Sequence, residues 1–136
     1  MTQESSKQLA KRFYDAFEKG DTQSLTEFVR ADYIQHTPGV PSGLGGVQMF
    51  MGMLHNAFPD ARFELHHLIA ENDIVSGHWT MTGTHRAPIF GVPATNRPIK
   101  IDGVDVWRVQ DGMIAEHWDV IDQMTMMQQL GVIPTP

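Results

Sequence analysis

The sequence predicts a single α+β domain over residues 1–136, shaped like a cone, with three N-terminal helices packed in a curved antiparallel sheet and a short C-terminal helix. Apolar residues recur at helical spacing up to about residue 58, and alternation with period two dominates from residue 62 to residue 121. A chain of 136 residues, 41% hydrophobic and 19% charged, is large enough for one core. Because long strands twist, we expect the sheet to wrap around the helices and to leave one end open as a deep pocket.

The first two predicted helices lie at the N-terminus. Residues 4–19 form an amphipathic helix, which Gly20 ends. Asp21 is the predicted N-cap of a second, short helix. The apolar stripe of the first helix consists of Leu9, Ala10, Phe13, Ala16 and Phe17.

A short extended piece and a third helix follow. Residues 32–36 are predicted as extended, and the TPGVPSGLGG segment that comes next is predicted as a loop because it is rich in Gly and Pro. The third helix begins near Gly45 and ends near Ala57, before Pro59.

The rest of the chain is predicted to be mainly strands. Residues 62–70 and 74–85 alternate in polarity, and residues 87–98 are rich in Pro and Gly and form a loop over the pocket mouth. A closing hairpin spans residues 101–122, after which Asp122 caps a last short helix.

The closing hairpin carries the densest set of ionisable and aromatic side chains. Asp111-Gly112 is a strong turn signal, but the length of the loop decides which side chains share a face. A two-residue loop would put Asp105 and Asp119 on opposite faces. We favour a three-residue loop with Gly112 left-handed, which places Asp105 opposite His117 and Gly103 opposite Asp119.

This choice predicts the composition of both faces of the hairpin. The inner face would carry Asp105, Trp107, Val109, Ala115, His117, Asp119 and Ile121. On the other face, Arg108 and Glu116 would be diagonal neighbours able to pair. An apolar stripe on that outer face, too large to leave in water, predicts a homodimer through Val104, Val106, Trp118 and Val120.

Composition argues against several classes of protein. The net charge is −6, and the ten Lys and Arg residues are scattered, so nucleic acid is not an expected partner. Cysteine is absent, so disulfides and thiolate chemistry are excluded. The N-terminal residues lack the apolar run of a signal peptide, and no stretch reaches transmembrane length, so we expect a cytoplasmic protein without membrane contact.

Almost the whole chain resembles the SnoaL-like polyketide cyclases (ester cyclases) of the nuclear-transport-factor-two-like superfamily. The resemblance is carried by FYDAFEKGD, ADYIQHTPG, AFPDARFELHHLIAENDIV, the run from TGTHRAPIF to EHWDVID, and the terminal QQLG. It implies an intramolecular aldol ring closure on a small, apolar or polycyclic substrate, with neither a metal nor an organic cofactor.

The resemblance also implies residue roles. The family's acid/base, an Asp on the last strand, matches Asp119, and the His two residues earlier matches His117. Gln35 occupies the place of a polar residue that points into the pocket, where characterised members tend to carry Asn. Asp105 stands where they tend to carry His, and His85 matches a His of the family.

The chemistry of ring closure fits these residue types. A carboxylate in a mostly apolar pocket has a raised pKa and can act as a base, which suits Asp119. Asp105 would separate the two carboxyl pKa values or hold His117 in one tautomer, or the two would form a purely structural pair. The candidate substrate-binding residues are Tyr14, Tyr33, Gln35, His36, His85, Phe90 and Trp107.

Other interpretations stay open at this point. Tyr14 fits the edge of the core, Gln35 and His36 can simply hydrogen-bond the Pro-Gly loop, and His85 can be a satisfied imidazole. A metal site from His36, His85, His117 and Asp119 is conceivable, but no metal-binding spacing supports it. The same pocket also suits an isomerase, a dehydratase, a hydrolase or a non-catalytic ligand-binding domain.

Overall fold

The computed structural model describes residues 2–135 and shows the predicted α+β architecture, with one curved open sheet and helices in its concave side. Its helices are α1 (Gln3–Lys19), a 3-10 helix (Gln23–Glu27), α2 (Leu44–Ala57) and α3 (Gln123–Gln129). Its strands are β1 (Val29–Gln35), β2 (Arg62–Glu71), β3 (Ile74–Thr84), β4 (Pro98–Gln110) and β5 (Met113–Ile121). No helix within residues 2–135 is long and apolar enough to cross a membrane.

The sheet has the strand order β1-β5-β4-β3-β2. Strands β2 to β5 form the predicted antiparallel meander, but β1 adds a fifth strand that runs parallel to β5. The prediction of a wholly antiparallel sheet is therefore wrong at this edge. The long connection from β1 to β5, which contains α2 and three strands, makes the parallel pairing possible.

Helix α1 fills the concave side of the sheet with its apolar stripe. Thr2 and Ser5 form a capping box at its start, and Gly20 ends it in the left-handed conformation at φ 67°. The ring of Phe17 meets the ring of Phe63 on β2 edge-on, with 5.0 Å between centroids. These contacts place one side of α1 against the interior of the cone.

The turn of the closing hairpin differs from the prediction. Asp111 and Gly112 have φ values of 52° and 76°, and Gln110 pairs directly with Met113. This is a two-residue turn of the type that Asp-Gly favours, so the three-residue loop was wrong.

A β-bulge in β5 restores the predicted faces all the same. The register shifts by one residue beside Ala115, because Val109 pairs with Ile114 whereas Arg108 pairs with Glu116. The grouping of inward side chains is therefore as predicted, but the cross-strand partners differ.

The bulge sets two cross-strand pairs on the inner face. Asp105 lies opposite Asp119, and Trp107 lies opposite His117. The two carboxyl groups are therefore direct neighbours across the hairpin, and the imidazole lies beside them.

The outer face of the hairpin carries an ion-pair cluster. Arg108 Nε donates to Glu116 Oε1 at 2.9 Å, and His36 Nε2 lies 2.6 Å from Glu116 Oε2. The two strand residues are direct partners rather than diagonal neighbours. The ring of His36 stacks on that of Trp118, with 4.9 Å between centroids.

Glu116→Gln is expected to lower the free energy of unfolding at pH 7 and to flatten its loss in acid. Hydrogen bonds from His36 and Arg108 hold the pKa of Glu116 below its usual value of 4.5. Its ionised form therefore stabilises the fold above about pH 4.5, and this contribution is lost as the pH falls through the folded-state pKa. Urea unfolding at several pH values measures this. Glu71→Gln, at the end of β2, is the control, and equal curves for both variants would contradict the expectation.

Candidate active site

A cavity of about 510 Å³ occupies the open end of the cone. Most of its wall is apolar and aromatic, with side chains from α1, α2, β2, β3 and the loop after β3. The Phe, Tyr and Trp residues of the wall are Phe13, Tyr14, Phe17, Phe50, Phe58, Phe63, Trp79 and Phe90. Among the described residues that line the cavity, none is Lys or Arg. A largely apolar cavity with a few grouped polar side chains is typical of small-molecule sites.

The polar groups of the cavity cluster on the inner face of the hairpin. His117 Nε2 lies 2.8 Å from Asp105 Oδ1, and both residues are buried. Asp119 is half-buried beside them, and donor atoms of the three residues lie within 4.8 Å of one another. A metal ion would accept that spacing, but the Asp105–His117 hydrogen bond and the cross-strand pairing of Asp105 with Asp119 also account for it.

Asp105 is held by two further donors. The hydroxyl of Tyr14 and Nε1 of Trp79 each donate to Asp105 Oδ2 at 2.8 Å. Both donors are themselves buried. Tyr14, Trp79 and His117 together supply the hydrogen bonds that a buried carboxyl group needs in place of water.

The other side of His117 faces an amide. His117 Nδ1 lies 3.1 Å from Gln35 Oε1, which also accepts a hydrogen bond from the hydroxyl of Tyr33. The amide nitrogen of Gln35 donates to Thr37 Oγ1. Pairing of Gln35 with His117 in the parallel β1–β5 register brings these groups together.

Asp119 has the electrostatics expected of a base. Burial raises its pKa above the usual 3.8, the charge of His117 opposes that shift, and the charge of Asp105 adds to it. The hydroxyl of Thr37 also lowers the pKa of Asp119, by a smaller contribution. The net increase moves Asp119 toward a pH at which a carboxyl group can both accept and return a proton.

The structure places six of the predicted residues on the cavity wall: Tyr14, Gln35, Phe90, Asp105, His117 and Asp119. Tyr14 binds Asp105 through its hydroxyl, so it is more than the edge of the core. Phe90 lies at the mouth, in a turn with Gly91, and its ring is 6.5 Å from that of Phe50.

The prediction that Trp107 and Tyr33 bind substrate is wrong, because neither lines the cavity. Both are fully buried behind His117, with ring centroids 5.5 Å and 6.4 Å from the imidazole. Inward-pointing strand residues far from the open end pack against the core instead of facing a ligand. Their role is to support His117 and Gln35 from behind.

The prediction that His85 and His36 bind substrate is also wrong. His85 is fully buried outside the cavity, where its Nδ1 accepts from the backbone N–H of Thr95 at 3.1 Å and organises the loop after β3. His36 is on the outer face with Glu116. The conceivable metal site that included both histidines is therefore not assembled.

Trp79 and Thr37 are site residues that the sequence analysis missed. Alternation along β3 places Trp79 inward, so the strand pattern contained a signal for it. Its contact with Asp105 depends on the β3–β4 register, in which Trp79 lies opposite Gly103. Thr37 follows Gln35 by two residues, but it lies in a loop where no periodicity applies.

Comparison with known proteins identifies the family. The SnoaL-like polyketide cyclase model matches residues 7–130. The chain belongs to the SnoaL-like polyketide cyclases. The recognition made from the sequence motifs is therefore confirmed.

Characterised relatives and solved structures agree with this family. The chain is 27% identical over 120 residues to nogalonic acid methyl ester cyclase of Streptomyces nogalater, covering 85% of this chain and 90% of that protein. It is 28% identical over 138 residues to the aklanonic acid methyl ester cyclase DnrD of Streptomyces peucetius, covering 94% and 92%. TsrD from Streptomyces laurentii has a TM-score of 0.91 at 28% identity, over 98% of this chain and 99% of that one.

A more distant structure shows the same fold. A SnoaL-like polyketide cyclase from Agrobacterium tumefaciens has a TM-score of 0.76 at 19% identity, over 90% of this chain and 95% of that one. The predicted cone-shaped architecture is thus shared by SnoaL-like cyclases of different sequence.

Proposed function

We propose that this protein is a polyketide cyclase that closes a ring by intramolecular aldol addition, with Asp119 as the acid/base. The observation that carries the proposal is a carboxyl group of raised pKa in an apolar cavity, in a chain of the SnoaL-like family. Isomerisation, dehydration and hydrolysis would use the same base, but the named relatives support ring closure.

The proposed reaction conserves every atom of the substrate. Asp119 removes a proton from a carbon between two carbonyl groups, and the resulting enolate carbon attacks a ketone of the same molecule. A carbon–carbon bond forms while the ketone becomes an alkoxide, which takes up the proton held by Asp119, directly or through a water molecule, so that the carboxylate is restored. Such a carbon is already fairly acidic, so a single carboxylate suffices and no cofactor enters the scheme.

The cavity wall supports a neutral, bulky substrate. Aromatic side chains offer flat apolar surfaces, and a volume of about 510 Å³ accommodates several fused rings. The acidic Asp105 and Asp119 outnumber His117, which is the one basic side chain among the described lining residues and is already paired with Asp105, so a free carboxylate would lack a counter-charge. We therefore propose an ester as the substrate, in line with the methyl ester cyclases among the relatives.

The direct test uses nogalonic and aklanonic acid methyl esters as candidate substrates. Aldol closure leaves the molecular mass unchanged, so the product is detected by chromatography and proton NMR. In D₂O the enzyme should also accelerate deuterium uptake at the acidic carbon. Rates no higher than those with buffer alone, for both ring closure and exchange, would contradict the proposal.

We also propose that two copies associate through the outer face of the sheet, as the sequence predicts. Val120 is 76% exposed, Ile69 63% and Trp118 36%, and they lie near Val104 and Val106. Light scattering coupled to size-exclusion chromatography should give the mass of a dimer at micromolar concentration. Trp118→Glu should give a monomer, and a parent protein that is already monomeric would contradict the proposal. A cytoplasmic location remains a prediction from the sequence.

A further inference from the structure

We propose that Tyr14 and Trp79 are positioning residues that keep Asp105 ionised and, through it, hold His117 as a doubly protonated cation beside Asp119. The inference deepens the proposed function and rests on it for the catalytic consequence. Its structural part concerns only the charge of His117 and is testable without a substrate.

The carboxylate of Asp105 accepts hydrogen bonds from three buried side chains. The Tyr14 hydroxyl and Trp79 Nε1 bind Oδ2, and His117 Nε2 binds Oδ1, all at 2.8 Å. All four residues are between 3% and 8% exposed, so water does not supply these hydrogen bonds. Burial and the charge of Asp105 raise the pKa of the Tyr14 phenol, which therefore remains a donor at any ordinary pH.

Two glycines make room for the side chains of Tyr14 and Trp79 where they bind Asp105. A Cβ on Gly77, the residue opposite Asp105 on β3, would lie 2.4 Å from the hydroxyl oxygen of Tyr14. A Cβ on Gly103, opposite Trp79, would lie 2.3 Å from the indole ring. Neither glycine has a positive φ, so the close approach of the two side chains, and not the backbone conformation, requires a residue without a Cβ.

Both ring nitrogens of His117 face acceptors. Nε2 faces the Asp105 carboxylate, and Nδ1 faces Gln35 Oε1, which is fixed because Tyr33 donates to the same oxygen. A neutral imidazole has one N–H and would leave one of these acceptors without a proton, whereas an imidazolium satisfies both. The geometry therefore favours the charged ring.

This arrangement divides the work between the two carboxyl groups. Asp105 already accepts hydrogen bonds from Tyr14, Trp79 and His117, so it serves as the fixed counter-ion. His117 has both N–H groups engaged, so it acts on the forming enolate through its charge and not by a direct hydrogen bond. Asp119 takes no part in the hydrogen bonds to Asp105, so it is the group free to take the proton.

The first experiment counts the protons on His117 by nitrogen NMR of labelled full-length protein at pH 7. We expect both nitrogens to carry a proton in the parent. Asp105→Asn can keep each hydrogen bond, with its amide N–H donating to Nε2, so His117 should then carry a single proton on Nδ1. A single proton in the parent, or two in Asp105→Asn, would overturn the inference whether or not the protein is a cyclase.

The second experiment measures kinetics on the cyclase substrate. Tyr14→Phe removes one donor, and Gly77→Ala pushes the hydroxyl away while leaving every functional group in place. Both should lower kcat about tenfold with KM within about twofold, since each removes the charge-assisted hydrogen bond to Asp105 but keeps the aromatic ring of residue 14 that lines the cavity. Gly52→Ala, on α2, is the control, because its Cβ would meet only Thr22 Cγ2 at the ordinary contact distance of 3.8 Å and neither residue lines the cavity.

The two experiments separate the possible outcomes. A kcat within twofold of the parent for Tyr14→Phe would reject its positioning role. If neither parent nor variants turn over the substrate, the proposed function fails, while the NMR result still decides the charge of His117. Unfolding of Gly77→Ala leaves the decision to Tyr14→Phe, which keeps the ring and its packing.

Discussion

Asp119→Asn is expected to lower kcat for ring closure by about 100- to 10,000-fold, the usual contribution of a positioned acid/base. Asparagine has nearly the same shape but cannot take up the proton of the acidic carbon. Because the side chain is half-buried at the cavity wall, the substitution should leave the fold intact. Steady-state kinetics with circular dichroism of the folded protein measures both properties.

The same variant is expected to be more stable than the parent at neutral pH. Asp119 has a higher pKa in the fold than its usual 3.8, so the folded chain holds the proton to higher pH than the unfolded chain. The contribution of this group to stability therefore falls as the pH rises through that interval. Removing the charge should therefore raise the free energy of unfolding at pH 7 and leave it unchanged near pH 3.

Asp73→Asn provides the matched control, since Asp73 is exposed in the turn between β2 and β3. It should leave kcat unchanged. Activity of Asp119→Asn within a few-fold of the parent would reject Asp119 as the base. A loss of stability at pH 7 would show that its ionised form is favoured by the fold.

Trp107→Ala is expected to destabilise the fold by about 3–5 kcal/mol, which is typical for emptying a fully buried indole site. Trp107 is 0% exposed, and the rings of Phe13, Tyr14 and His117 lie 5.3–5.5 Å from it. The cavity left behind would also remove the wall that supports His117. Urea unfolding followed by circular dichroism measures the loss.

Trp118→Ala is the control on the opposite face of the same hairpin. Trp118 is 36% exposed, so its removal should cost about 0.5 kcal/mol or less in the monomer. If the outer face forms the dimer, that loss should grow with protein concentration, whereas the effect of Trp107→Ala should not. Similar, small losses for both variants would contradict the placement of Trp107 in the core.

The sequence was sufficient to predict the main helices and strands and the side chains that share a face within each of them. Amphipathic spacing defined α1, and alternation along β5 placed His117 and Asp119 on one face of that strand. These features are local, so the periodicity of the chain expresses them directly.

Features that depend on distant register could not be predicted. The parallel pairing of β1 with β5 places Gln35 beside His117, and no local pattern indicates it. The β3–β4 register brings Trp79 to Asp105 in the same way. Burial of His85 in the loop after β3 depends on how that loop folds back on itself, which composition does not specify.

The bulge residue at Ala115 compensates for the short Asp-Gly turn, because the two one-residue changes in register cancel. Deleting either one alone would swap the inside and outside of every side chain beyond it in β5. A chain of this architecture that lacks the bulge must therefore have a turn one residue longer to keep the same side chains on the inner face of the sheet. In an alignment, a gap near the hairpin tip then shows whether the turn or the bulge carries the additional residue. It does not show whether the reactive carboxyl group is present.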